Sequence, residues 1–173
     1  MTGNKIFKEI TEWVVVIGIA IAVSLFIDNF IIVNATVPTS SMEKTIMTKD
    51  RIIGLRFAYF TEDPERGDII IFRYPDDESI LYIKRIIGMP GEVVEIHDGT
   101  VYIDDEPLDE PYITVYTQGD WGPYEVPEDH YFMMGDNRNN SADSRFWQNT
   151  YLSRDGIVGK AVVRYFPSIK KLK

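Results

Sequence analysis

Hydrophobic positions along this chain form one long run near the N-terminus and a series of short runs after it. The long run extends from Trp13 to Ile27 without a charged residue and, after Asp28 and Asn29, resumes as FIIV. As a helix, residues 13–27 span roughly 22 Å, less than the roughly 30 Å of a hydrocarbon core, so a crossing needs the flanking residues. The pattern predicts a transmembrane anchor over residues 13–33, with Asp28 at a membrane interface.

Two other interpretations of this segment stay open at the level of sequence. It could be the core helix of a soluble protein, or a cleavable secretory signal with small residues at plausible cleavage positions in Val33-Asn34-Ala35. Lys5 and Lys8 precede the run and favour a cytoplasmic N-terminus over residues 1–12. Residues 34–173 would then form an extracytoplasmic domain.

Beyond Asp50 the hydrophobic runs are short, rich in β-branched and aromatic residues, and separated by glycine, proline and acidic turns. They read RIIGLRFAYF, GDIIIFRYP, ILYIKRIIG, GEVVEI, TVYIDD, HYFMMGD and IVGKAVVRYF. Such runs are typical of antiparallel strands. We therefore predict a mainly β fold, with antiparallel sheets or a barrel-like catalytic domain after one N-terminal transmembrane helix.

Composition narrows the functional classes. A chain of 173 residues supports one globular domain plus the anchor. It contains no cysteine and only His97 and His130, which excludes thiolate and histidine-rich metal sites, and we predict no metal and no cofactor. A net charge of -9 opposes nucleic-acid binding, which needs lysine and arginine to neutralise phosphates.

Lys84 lies inside the apolar run ILYIKRIIG, where strand alternation places it on one face with Tyr82 and Ile86. Its stem could lie along the sheet while the ammonium reaches water. Alternatively the amine is buried, and burial lowers the pKa of a lysine from about 10.4. A pKa of about 8 would leave roughly a tenth of the amine neutral at pH 7 and make it a general base.

A general base needs a weak nucleophile to deprotonate, and the hydroxyl-rich stretch VPTSSMEKTIM, residues 37–47, supplies serines. From the residues alone, Ser40 and Ser41 are equal candidates. Ser41 and Lys44 also satisfy the S-x-x-K pattern of penicillin-binding proteins, although the companion S-D-N and K-T-G elements are absent. His97 and His130 are alternative bases, one in a turn and one before an apolar strand.

The chain resembles the bacterial type I signal peptidases, in the compact form common in Gram-positive bacteria. The motifs that carry the resemblance follow in the family's order and spacing: VPTSSME, DRIIG, RGDIIIFRYP, YIKRIIGMPGE, VPEDHYFMMGDNRNNSADSRFW and VGKAVVRYFP. Of these, GDNRNNSADSR is a highly specific match and SSME alone a weak one. The resemblance covers nearly the whole chain.

The resemblance implies a serine–lysine dyad. The family places its nucleophile directly before the methionine, which selects Ser41, and the lysine of its K-R pair corresponds to Lys84. Thr39 keeps the hydroxyl that the family commonly has two residues before the nucleophile. Together with the Ser41 backbone N–H it is expected to form the oxyanion hole.

The last motif implies supporting residues. Ser141 matches the serine that hydrogen-bonds and orients the family's lysine, and Asp143 and Arg145 match a supporting acid–base pair with Arg85 nearby. The alternative for Asp143 and Arg145 is a weak surface ion pair. Gly135, Asp136 and Asn137 are expected to shape the turn rather than to contact substrate. Two residues depart from the family pattern beside these motifs: Lys44 stands where proline is usual, and Gln148 follows Trp147 where glycine is usual.

The expected function is that of a membrane-anchored serine endopeptidase that removes N-terminal signal peptides from exported proteins. It would cut after small residues through an acyl-enzyme. The expected partners are signal peptides and membrane lipid, with a monomeric protein at the cell membrane. The alternative is a binding protein rather than an enzyme: a non-catalytic, membrane-anchored β-domain that binds exported chains.

Overall fold

The N-terminal apolar segment is helical and exposed. The computed structural model describes residues 2–60 and 62–172; helix α1 covers Thr2–Phe26 and ends in a π-helical turn, Ile27–Ile31. Side chains 7–30 are exposed, so the interpretation as a buried core helix is wrong. The segment Phe7–Ile31 has a mean hydropathy of 2.5 and is long and apolar enough to cross a membrane.

The helical segment ends earlier than the sequence predicts. Ile32 and Val33, which we assigned to the transmembrane anchor, begin strand β1 (Ile32–Thr36) instead. Val33 is 5% exposed and belongs to the core of the main sheet, because it packs where Ile46 and Ile52 are also buried. The Arg56 side chain donates a hydrogen bond from Nε to Ile32 O at 2.9 Å, tying the sheet to the end of the helix.

All observed strand pairs in the described residues are antiparallel, which confirms the predicted mainly β fold. Beyond β1 the strands are β2 Arg51–Leu55, β3 Ile69–Tyr74, β4 Asp77–Gly88, β5 Val93–His97, β6 Thr100–Ile103, β7 Glu106–Pro107, β8 Trp121–Glu125, β9 His130–Met134, β10 Leu152–Ser153, β11 Ile157–Phe166 and β12 Lys170–Lys171. The main sheet has the order β1-β2-β11-β3-β4-β9-β10, with β12 on β11, and a smaller sheet has the order β7-β6-β5-β8.

Some predicted boundaries shift. The run RIIGLRFAYF forms β2 and then a 3-10 helix, Arg56–Tyr59, rather than one strand. Two more 3-10 helices lie at Arg138–Asn140 and Arg154–Gly156. Strands β1 and β8 were not predicted, because β1 continues the apolar run and β8 contains glycine and proline.

Strand β4 connects the hydrophobic cores and carries the residues of most interest. Ile83 packs against the core around β1 and β2, Ile86 belongs to an aromatic core with Trp147, and Ile87 belongs to the core of the smaller sheet. Strand β3 pairs along β4, whereas β9 pairs with it only from Arg85 onward. Lys84 therefore lies where β4 passes from a free edge into the interior of the sheet.

Candidate active site

The candidate nucleophile and the candidate base are in direct contact. Ser41 lies on the loop between β1 and β2, and Lys84 reaches it from β4; Lys84 Nζ and Ser41 Oγ are 2.6 Å apart. Both side chains are buried, Ser41 with 7% and Lys84 with 3% of its surface exposed. This is the geometry that a serine–lysine dyad requires.

Burial changes the acid–base behaviour of the amine. It lowers the pKa of Lys84 from 10.5 to about 8, although the negative charges of Asp143 and Asp136 oppose the shift. The interpretation in which the ammonium reaches water is therefore wrong. Roughly a tenth of the amine is neutral at pH 7, so it can accept a proton from a hydroxyl.

The loop that carries Ser41 is held by amides that sequence reasoning missed. Asn137 donates from its backbone N–H to Ser41 O at 3.0 Å and from Nδ2 to Ser40 O at 3.0 Å. Asn140 donates from Nδ2 to Ser40 Oγ at 2.8 Å. Thr39 Oγ1 lies 3.4 Å from Ser41 Oγ, close enough to serve the oxyanion role that the resemblance implies. Ser40 thus anchors the loop.

Asp143 and Arg145 form a buried pair rather than a surface ion pair. Arg145 donates from Nε to Asp143 Oδ1 at 2.8 Å and from Nη2 to Asp143 Oδ2 at 2.9 Å, and both side chains are at most 1% exposed. Asp143 Oδ2 also accepts a hydrogen bond from Gly135 N at 3.0 Å. The pair fixes the loop that packs behind Ser41.

Ser141 lies beside the site but does not make the hydrogen bond expected of it. Its hydroxyl is buried and has no hydrogen-bond partner among the described residues, so the bond to Lys84 is absent from this structure. A side chain on Gly135 would collide with both Ser141 Oγ and Ser41 O. Gly135 therefore permits the close approach of these two segments, and the orienting role of Ser141 stays a prediction.

Arg85 forms a buried ion pair that the sequence did not predict. It donates from Nε and Nη2 to Asp136 at 2.9 and 2.7 Å, and its expected position near the Asp143–Arg145 pair stays a prediction. Asp136 also accepts a hydrogen bond from Thr45 Oγ1 at 2.5 Å, on the far side of the nucleophile loop. Sequence reasoning assigned Asp136 only a turn role, because its partners lie tens of residues away in the chain.

The alternative bases receive no support from the geometry. Lys44 is exposed and has a backbone φ of 84°, a conformation that proline cannot adopt. His97 stacks on Tyr102, with ring centroids 3.9 Å apart, and His130 Nδ1 lies 2.7 Å from Glu128 O. Neither histidine lines the cleft that contains Ser41.

That cleft runs between β1 and β4 and has a volume of about 860 Å³. One wall is the segment from Asn34 to Met42, and the other is the segment from Ile80 to Lys84. Asn140 and Ala142 also line it, and Asn140 bonds to Ser40 Oγ. Ser41 and Lys84 both face this cleft.

Comparisons with known proteins show which family the chain is similar to. The family model described as signal peptidase, peptidase S26, matches residues 10–166. The chain is 39% identical over 171 residues to Signal peptidase I of Leptolyngbya laminosa, covering 94% of this chain and 83% of that protein. It is 36% identical over 180 residues to Signal peptidase I P of Bacillus subtilis subsp. natto, covering 96% of each.

A solved structure is also similar. The crystal structure of a signal peptidase I from Enterococcus faecalis V583 is 32% identical, has a TM-score of 0.50, and covers 57% of this chain and 97% of its own. The chain belongs to the signal peptidase family, peptidase S26. The N-terminal apolar helix fits a membrane-anchored member of this family.

Proposed function

We propose that this chain is a membrane-anchored serine endopeptidase that removes signal peptides from exported proteins. The observation that carries the proposal is the 2.6 Å approach of Lys84 Nζ to Ser41 Oγ, with the amine almost fully buried. Family membership supports the substrate class. The dyad and the residues around it are our assignment.

In the first half of the reaction, neutral Lys84 takes the proton of Ser41 as Oγ attacks the scissile carbonyl carbon. The tetrahedral oxyanion accepts hydrogen bonds from the Ser41 backbone N–H and the Thr39 hydroxyl, each worth roughly 3 kcal/mol in related sites. When the C–N bond breaks, Lys84 returns the proton to the departing amine. An acyl-enzyme ester on Ser41 remains.

In the second half, water attacks the ester while Lys84 accepts one of its protons. Collapse of the second tetrahedral intermediate breaks the ester bond and returns the proton to Ser41 Oγ. The Arg85–Asp136 pair links β4 to Thr45 of the nucleophile loop, and the Asp143–Arg145 pair fixes the loop that packs behind Ser41. Each group starts and ends the cycle in the same protonation state.

Membrane anchoring places the dyad near the exit of an exported chain. Ser41 follows Ile31 by ten residues, so it lies within roughly 36 Å of the helix end even if the connection were fully extended. We propose that residues 1–12 are cytoplasmic, that the helix is retained, and that the domain after it is extracytoplasmic. We further propose that the cleft accepts small residues before the cut and that the protein acts as a monomer.

Variants of the dyad test the proposal. Full-length protein in detergent micelles is assayed on a peptide whose apolar run ends in Ala-x-Ala. Parent protein should cut after the second alanine, whereas Ser41→Ala and Lys84→Ala should lose activity. Ser40→Ala loses only the hydrogen bond from Asn140 and should keep measurable activity. Cleavage by Ser41→Ala at the parent rate would refute the assignment, and no cleavage by the parent would favour a binding domain.

A further inference from the structure

Aromatic side chains lie at the surface beside the candidate active site. Tyr116 is 79% exposed, and Phe146, which directly follows Arg145, is 56% exposed. The Trp121 ring lies edge-on to Phe146, with centroids 4.8 Å apart. We call Tyr116, Trp121 and Phe146 the aromatic patch. Exposed aromatic patches of this kind mark binding surfaces in soluble domains.

The loop that carries Tyr116 is held firmly although its side chain is exposed. Asn139 donates from Nδ2 to Tyr116 O at 3.0 Å and accepts from Gln118 N at 2.9 Å. Trp121 Nε1 donates to Gln118 O at 3.1 Å, and Tyr116 packs against Gly99, where a side chain would collide with it. Because the ring is already positioned, binding a partner would cost little conformational entropy.

The patch is close to the scissile position. Asn139, which holds the loop, is followed by Asn140, which lines the cleft and bonds to Ser40 Oγ. This chain of contacts limits the distance between the Cα atoms of Ser40 and Tyr116 to roughly 20 Å, the length of about six extended residues. A peptide that passes the serine can reach the aromatic ring.

Carboxylates outnumber cations in the chain around the patch. Arg145 lies over the Trp121 and Phe146 rings, but its charge is balanced by Asp143. No lysine or arginine occurs between Arg85 and Arg138, whereas aspartate and glutamate recur throughout that part of the chain, including Asp120 beside Trp121. The resulting negative potential favours a segment that carries lysine or arginine over one that carries carboxylates.

We propose that the aromatic patch docks the segment of the exported polypeptide that follows the scissile bond, and that the acidic surroundings favour basic residues in it. This inference rests on the proposed function. The membrane-anchored end of the cleft, near Asn34 and Ile80, would receive the residues before the cut, so the residues after it leave past Asn140 toward Tyr116. The aromatic patch is therefore a further subsite, for the segment of the exported polypeptide that follows the scissile bond.

Four peptides test this, all identical up to the scissile bond. One ends two residues after the bond, and three continue for eight residues with two lysines, two serines or two aspartates at the fourth and sixth positions. With full-length protein in zwitterionic detergent micelles, kcat/KM should be highest for the lysine peptide. It should exceed that of the short peptide by roughly fivefold, mainly through a lower KM, which corresponds to about 1 kcal/mol, less than a full interface hot spot.

Tyr116→Ala should remove this advantage and leave the short peptide cut at the parent rate, because the residue lies outside the dyad. Ile169→Ala is the matched control, since Ile169 is 84% exposed but belongs to the chain beyond β11. It should leave all four rates unchanged.

Equal cleavage of short and long peptides by the parent would overturn the docking surface and leave the proposed function standing. The docking surface is also overturned if Tyr116→Ala slows short and long peptides equally, or if it only changes self-association on a sizing column, which would assign the patch to a second copy. Failure of the parent to cut any peptide would overturn both proposals.

Discussion

Lys84 and Arg85 are neighbours on β4, both basic and both buried, but they differ in whether a carboxylate lies within ion-pair distance. Arg85 is 2% exposed and meets Asp136 through two hydrogen bonds, donates to Gly67 O and stacks over the Tyr112 ring. Lys84 is 3% exposed and touches Ser41, with no carboxylate at ion-pair distance in the described part of the chain. A buried cation with a counterion is structural, whereas one without it can lose its proton.

The largest expected effect is on the peptidase activity of Lys84 and Arg85 variants. Lys84→Met removes the base and should lower kcat/KM by roughly 10⁴-fold, as loss of a catalytic dyad member does in other serine hydrolases. Arg85→Lys keeps the charge and should retain measurable cleavage. The assay is peptide cleavage by full-length protein in micelles. Near-parent activity of Lys84→Met would show that Lys84 is not the general base.

The next effect concerns folding. Arg85→Met leaves Asp136 buried without its counterion and should lower the free energy of unfolding by about 3–5 kcal/mol. The pair Arg66–Glu92 is partly exposed, so Arg66→Met is the control and should cost much less. Urea unfolding in micelles, followed by tryptophan fluorescence, measures both. If Arg85→Met and Arg66→Met lost similar free energies of unfolding, burial of the Arg85–Asp136 pair would not explain the cost of removing Arg85.

Lys84→Met should do the reverse and stabilise the fold. The pKa of Lys84 is lowered from 10.5 to about 8, so holding it protonated in the folded state costs free energy below pH 8. Methionine removes that cost, up to about 3 kcal/mol below pH 8. The parent regains stability as the pH rises from about 8 to 10.5, so the difference should vanish above that range. Urea midpoints at pH 6 and pH 10.5 test this sign.

The smallest expected effect is on the stability of variants at a third basic residue, Lys44. Lys44 is exposed and adopts a φ of 84°, which glycine tolerates and proline does not. Lys44→Gly should stabilise the fold by about 0.5–1 kcal/mol, while Lys44→Pro should destabilise it by more. Equal unfolding midpoints for the two variants would show that the loop relaxes. The proline usual in the family at this position would then be compatible with this loop.

Local patterns predicted much of this fold but only part of the site. The apolar helix and the strand runs follow from periodicity, and alternation placed Lys84 among apolar neighbours. Chemical reasoning paired Lys84 with the serines of residues 37–47, but the choice of Ser41, 43 residues from Lys84, came only from family resemblance. Asp136 was assigned to a turn because aspartate after glycine is typical there, and its pairing with Arg85 depends on the register of β4 and β9.

The hydrogen bond expected from Ser141 to Lys84 is another contact that a local sequence pattern does not specify. The family pattern predicts that Ser141 bonds to Lys84, whereas the structure packs its hydroxyl against Gly135 without a partner among the described residues. Side-chain packing of this kind is not specified by the sequence pattern. Asn137 and Asn140 were missed because asparagine in a turn is common. Their importance lies in bonding to Ser40 and Ser41 across about 100 residues of chain.

The pH dependence of kcat/KM tests the central claim most directly, because this profile reports the ionisation of the free enzyme. Full-length protein should cleave the short peptide with a rate that rises with pH, with a midpoint near the pKa of about 8 assigned to Lys84. The rate should level off above pH 9 as the amine becomes neutral. A profile that is flat from pH 6 to 9, or that rises only near pH 10.5, would show that no buried amine activates Ser41.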